Sequence, residues 1–179
     1  IHRSGAPGQP PDHGNGYFDS LLWHNGVQIR AEGYCADVFT DAAIQFIEAS
    51  RNTPFFVYLS TSAPHTPLEI DEKYVQPYRE RGLNEDTARV YGMLENMDDN
   101  LGRLLTRLDQ LGLRDNTLVV FLSDNGLAQE RYNAGLRGLK TWAYEGGIRV
   151  PCFVQWPQAL EGRKEIDQIA AHVDFFPTI

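Results

Sequence analysis

An α/β fold with a mostly parallel sheet and helices on its faces is what this sequence predicts, on three observations. Three short apolar runs of strand composition, Phe55-Phe56-Val57-Tyr58-Leu59, Leu118-Val119-Val120-Phe121-Leu122 and Cys152-Phe153-Val154-Gln155-Trp156, are spaced along the chain with helical patterns before and between them. Strands alternating with helices are the signature of parallel sheets. The longest helical pattern, residues 86–111, carries Val90, Leu94, Met97, Leu101, Leu104, Leu108 and Leu111 at steps of three and four, a single apolar stripe. The first two apolar runs break directly into polar loops, and loops after buried strands are where open α/β sheets bind ligands.

The elements follow in order. Residues 1–22, with Gly5, Pro7, Gly8, Pro10, Pro11, Gly14 and Gly16, hold too many breakers for regular structure and read as an irregular loop. Asn25-Gly26 between short alternating runs marks a two-residue hairpin, with His24 at its flank. A helix is expected from Asp37 to Ser50, on Val38, Ala42, Ile44, Phe46 and Ile47, and Pro54 then forces an extended start for the first apolar run. That run and residues 118–122 read as strands buried on both faces. Gly112 stops the long helix. Three strands are few for a chain of 179 residues, and the apolar end Phe175-Phe176-Pro177-Thr178-Ile179 adds more surface to cover, so the chain is expected to be a piece of a larger domain.

Composition narrows the function. A net charge of −8 has the wrong sign for a protein that coats nucleic-acid phosphates. An acidic protein that handles a small anion needs a local cluster of cations or a bound metal. No apolar run approaches the roughly 20 residues that cross a bilayer, and the first residues lack the apolar core of a signal peptide. Cys35 and Cys152 have neither CxxC spacing nor disulfide-scaffold density, so they leave the redox compartment and their own pairing open.

Three segments could carry chemistry. Ala63-Pro64-His65-Thr66-Pro67 sets an imidazole between two prolines; the same residues also suit a surface histidine in a Pro-bounded turn. Ser123-Asp124-Asn125-Gly126 offers a carboxylate and an amide oxygen, hard donors for Ca²⁺ or Mg²⁺; the alternative is a plain Asn-Gly hairpin turn. Lys140, after a glycine-spaced segment, is a mobile cation suited to a tetrahedral oxyanion or an ordinary surface lysine, and Arg149 is placed to clamp Glu145. His172 lies two residues from Asp174, which reads more simply as a helix cap. His13 and His24 carry little weight as site residues.

Taken together and in order, Gly33-Tyr34-Cys35-Ala36-Asp37-Val38-Phe39-Thr40-Asp41, Ala63-Pro64-His65-Thr66-Pro67, Ser123-Asp124-Asn125-Gly126, Gly138-Leu139-Lys140, Glu145-Gly146-Gly147-Ile148-Arg149-Val150-Pro151 and His172-Val173-Asp174-Phe175-Phe176-Pro177-Thr178 resemble successive blocks of the type I, formylglycine-dependent sulfatases, arylsulfatase-like members of the alkaline phosphatase superfamily. The resemblance implies an alkaline-phosphatase-like sandwich and hydrolysis of a sulfate ester of a small molecule or glycan. It implies that Asp124 and Asn125 are ligands of one divalent cation, usually Ca²⁺. It implies that Lys140 holds sulfate oxygens and that His65 contacts the sulfate and the leaving oxygen.

The family's nucleophile is a formylglycine made within a Cys/Ser-x-Pro/Ala-x-Arg motif, and neither cysteine nor any serine of this chain stands in one. The family's early paired aspartates, its first lysine and its first histidine are absent as well. Residues 1–179 therefore resemble an incomplete catalytic domain, its later part, with the nucleophile outside this chain; the piece alone is expected to be inactive. Two alternatives stay open: a phosphodiester or phosphonate ester hydrolase of the same superfamily, and a non-catalytic module that binds carbohydrate or a partner chain. The resemblance further implies a periplasmic or secreted setting.

Overall fold

The structure, a computed structural model, describes residues 16–179. The chain falls into two compact units divided between Arg114 and Asp115.

In the first unit Asn25 and Gly26 have φ of 51° and 80°, the left-handed pair that a two-residue hairpin requires. They join β1 (Leu21–His24) to β2 (Val27–Arg30) in an antiparallel ladder with Leu21 opposite Arg30 and His24 opposite Val27. The loop expected over residues 1–22 is corrected at its end. His13 and the rest of residues 1–15 lie outside the described residues, while Tyr17 and Leu22 are fully buried. The breakers stop at Gly16, and the apolar residues that follow enter the core, where the Tyr17 ring stacks on Tyr34 at 5.4 Å.

Helix α1 (Cys35–Ser50) begins two residues earlier than the apolar pattern indicates. Its buried face is Cys35, Ala36, Phe39, Thr40, Ala43 and Ile47, recurring at a four-residue rhythm, and Phe46 is exposed. Helix α2 (Glu72–Glu80) has little sequence signal, because Pro77 lies inside it and Val75 alone is buried. Helix α3 (Glu85–Gln110) matches the expected span. Its N-cap Asn84 accepts the Thr87 amide at 2.9 Å, and Gly112, at φ 67°, ends it. Its inner face keeps the expected stripe at Val90 and Leu108, which are buried, and at Met97, Leu101, Leu104 and Leu111, which are half-buried, but Met93, Asn96 and Asn100 are buried as well and Leu94 is exposed. Asp37 of α1 is the reason. Its Oδ1 accepts from Asn96 Nδ2 at 2.9 Å and Asn100 Nδ2 at 2.7 Å, and Arg103 Nη1 donates to Asn100 Oδ1 at 2.7 Å. A satisfied polar seam outranks the apolar periodicity there.

Residues 55–59 form no strand among the described residues. Phe56 and Tyr58 are 79% and 82% exposed, while Phe55, Val57 and Leu59 are half-buried and Leu59 packs on the core. The expectation of burial on both faces is thus corrected to one buried face, since no described strand pairs with this run.

In the second unit, β3 (Val119–Leu122) and β4 (Cys152–Gln155) occupy two of the expected runs. They pair antiparallel, with Val119 opposite Gln155 and Leu122 opposite Cys152. The described sheets are therefore two antiparallel pairs, and β4 is exposed along its length. A two-stranded ladder leaves both edges and at least one face bare. Short helices α4 (Glu145–Ile148) and α5 (Phe175–Thr178) complete this unit. Cys35, buried, and Cys152, exposed, form no disulfide among the described residues. No described helix is long and apolar enough to cross a membrane.

Candidate functional site

His65 lies in the first unit, on the loop after residues 55–59. Its amide donates to the Ser62 carbonyl at 3.0 Å, closing a turn, and its side chain is exposed. Nδ1 lies 2.9 Å from the carbonyl oxygen of Thr66. A carbonyl only accepts, so this contact places the proton on Nδ1 and leaves Nε2 as the ring atom that can face a substrate oxygen.

Asp124, Asn125 and Lys140 lie in the second unit, and the backbone draws their loops together. Gly126 N donates to Gly147 O at 2.9 Å, Lys140 N to Leu127 O at 2.7 Å, and Gly146 N to Arg137 O at 2.7 Å. Such close packing requires bare backbone. A Cβ on Gly126 would stand 1.9 Å from Gly146 O, and one on Gly146 would stand 2.1 Å from Gly138 O. Asn125-Gly126 is accordingly no hairpin turn: Gly126 lacks the positive φ that Gly26 has, and its glycine serves close approach instead.

Charge is distributed unevenly in this cluster. Arg149 Nη1 bonds Glu145 Oε2 at 3.0 Å, the clamp expected from sequence. The Arg137 guanidinium lies 3.9 Å from the Tyr144 ring centroid, and Arg131 donates to Gln129 at 3.0 Å. Lys140 is half-buried, and among the described residues no ion pair engages its ammonium. Arg131 and Arg137 make no ion pair among the described residues either. Thr141 beside Lys140 has φ 75°, an uncommon conformation for a β-branched residue and one that clusters at functional sites.

Asp124 is exposed and Asn125 half-buried at the carboxyl end of β3. Their oxygens have the hardness that Ca²⁺ or Mg²⁺ prefers, but Ca²⁺ takes about six to eight oxygens, and no cluster of three or more His, Cys, Asp or Glu suited to a metal occurs among the described residues. The residue types of the pair fit such a cation, and two donors alone make only part of its shell.

His172 is the residue that sequence reasoning undervalued. Its Nε2 lies 3.0 Å from the Ser123 carbonyl oxygen and donates to it, which ties the 3-10 turn His172–Asp174 to the loop carrying Asp124. Asp174 stands at the N-cap position of α5 as expected but makes no side-chain capping bond there; its Oδ2 accepts instead from Ala171 N at 2.7 Å, ahead of the 3-10 turn. Nothing in the local sequence marks the His172 contact, because its partner is a main-chain atom 49 residues away.

The chain belongs to the Sulfatase family, whose profile matches residues 7–179. It is 30% identical over 173 residues to the uncharacterized sulfatase YdeN of Escherichia coli K12, covering 92% of this chain and 30% of that protein. It is 33% identical to human steryl-sulfatase over 151 residues, covering 78% of this chain and 24% of the relative. Among solved structures, Ps i-CgsB in complex with k-i-k-neocarrahexaose superimposes with a TM-score of 0.83 at 33% identity, over 89% of this chain and 36% of that one. The sulfatase yidJ from Bacteroides fragilis gives 0.77 at 25% identity, over 90% and 40%. The chain thus spans less than a third of the length of the two named curated relatives.

Proposed function

We propose that these residues are the later part of a sulfatase catalytic domain whose whole enzyme hydrolyses sulfate monoesters. The observation that carries this reading is the glycine-packed cluster that ties the Asp124-Asn125 loop to the Lys140 loop through Gly126 N–Gly147 O and Lys140 N–Leu127 O. A divalent cation held by the Asp124 carboxylate and the Asn125 amide, together with the Lys140 ammonium, would supply the local positive charge that a protein of net charge −8 needs to hold a sulfate.

In this reading Lys140 binds the non-bridging sulfate oxygens and holds the group in place while negative charge grows on the bridging oxygen as the S–O bond breaks. His65 acts as the imidazolium: with Nδ1–H held by the Thr66 carbonyl, its Nε2–H faces the bridging oxygen and passes that proton to the departing alcohol, leaving the ring neutral. Asp124 and Asn125 hold Ca²⁺, or Mg²⁺, which when bound polarises the sulfate. The attacking group, a formylglycine hydrate, lies outside this chain. The run 55–59 and the ladder of β3 and β4 belong to a larger, mostly parallel sheet of alkaline-phosphatase-like type. The substrate is a small-molecule or glycan sulfate ester, and the enzyme works in the periplasm or outside the cell.

The test is a rate comparison on matched aryl sulfate, phosphodiester and phosphonate esters with the whole enzyme. The sulfate ester is expected to be preferred, and Lys140→Ala and His65→Ala are each expected to lower kcat/KM by roughly 10²–10³-fold. Unchanged turnover in both variants rejects the assigned roles, and preference for a phosphorus ester moves the enzyme to another branch of its superfamily.

A further inference from the structure

We infer that Tyr17 is a positioning residue for His65, fixing the turn from which the imidazole projects; this rests on the reading that His65 serves the leaving oxygen. Among the described residues the exposed His65 ring has hydrogen-bonding contacts only with Thr66, so its place is set by the backbone beneath it. That backbone is poor in donors, because Pro64 and Pro67 carry no N–H. The Tyr17 hydroxyl fills the gap. Its Oη stands 2.7 Å from Ser62 O and 2.8 Å from His65 O, sharing one proton between the carbonyls that open and close the turn.

Tyr17 is itself immobile. It is fully buried, its ring stacks on Tyr34 with planes 18° apart, and its carbonyl accepts from Cys35 N at 2.8 Å, at the first residue of α1. Its amide donates to Glu69 Oε2 at 2.6 Å, at the far end of the same loop. Tyr17 therefore holds the loop at Ser62, His65 and Glu69 and ties all three to the frame of α1. The hydroxyl supplies the hydrogen bonds to the turn, and the ring supplies the buried stack.

Tyr17→Phe keeps the stack and removes that proton. A displaced proton donor matters most where the leaving alcohol is poor, and little for an activated phenol. With the whole enzyme, kcat on an unactivated alkyl or sugar sulfate is expected to fall roughly 10–100-fold, with KM and the rate on nitrophenyl sulfate nearly unchanged. In a His65→Ala background Tyr17→Phe is expected to add no further loss, because the two substitutions act through one group. Wild-type rates on every ester, or an equal loss on all esters that persists without His65, overturns the inference. A His65→Ala enzyme that retains full activity overturns the underlying role of His65 instead. If Tyr17→Phe melts far below the wild type, Glu69→Ala removes the acceptor of the Tyr17 amide and loosens the same loop. It is expected to show the same leaving-group trend at smaller size, and absence of the trend overturns the inference.

Discussion

Gly126 and Gly146 stand so close that a Cβ on the first would lie 1.9 Å from the carbonyl oxygen of the second. The Gly126 amide bonds the neighbouring Gly147 carbonyl at 2.9 Å. This contact binds the loop that follows β3 to α4, and so fixes the Asp124-Asn125 pair against the segment that carries Lys140. A methyl group there has no flexible side chain to push aside, only backbone.

Gly126→Ala is therefore expected to destabilise the protein by about 1–3 kcal/mol, the usual penalty for overpacking. It should also weaken sulfate binding by separating the two loops. Thermal unfolding and product inhibition by inorganic sulfate measure the two effects, and wild-type values in both would contradict the packing argument.

His172 holds the Ser123 carbonyl from 49 residues away in sequence. Partners of this kind set the orientation of metal ligands, and their removal lowers metal affinity by about 10–100-fold. His172→Phe should show that loss in a Ca²⁺ titration of the whole enzyme. His172→Gln, whose Nε2 can reach the same carbonyl, should restore most of the affinity.

Glu85 gives a pH signature in the first unit. Hydrogen bonds from Arg79 first, then Arg89, lower its carboxyl from 4.5 to about 2. Because the folded-state value is the lower one, this contribution is fully present above about pH 4.5 and is lost as pH falls through about 2. The pair is exposed, so the effect is small. Glu85→Gln should flatten the acid limb of the unfolding midpoint between those two values and leave the midpoint at neutral pH close to wild type.

The sequence signals that survive in the structure are local ones. Asn25-Gly26 makes its hairpin because φ at both residues suits the turn. The long helix runs as its caps dictate, from Asn84 to Gly112. The same Asn-Gly dipeptide at 125–126 has a different role, and only the approach of Gly146 and Gly147 reveals it. Non-local chemistry defeats pattern reading elsewhere. Asp37 turns Asn96 and Asn100 inward in place of Leu94, and Pro77 hides α2. At the site, residue types disclosed Asp124, Asn125, Lys140 and His65 as candidates. Tyr17 and His172 were not legible, since each acts on a main-chain carbonyl that has no side-chain signature.

The most direct test of the account is the metal content and sulfatase rate of the purified whole enzyme beside its Asp124→Ala variant. The account predicts bound Ca²⁺ or Mg²⁺ in the wild type, its loss from a folded variant, and a fall in aryl sulfate hydrolysis of roughly 10³-fold. A variant that keeps both its metal and its rate would contradict the claim that this loop forms part of the reaction centre.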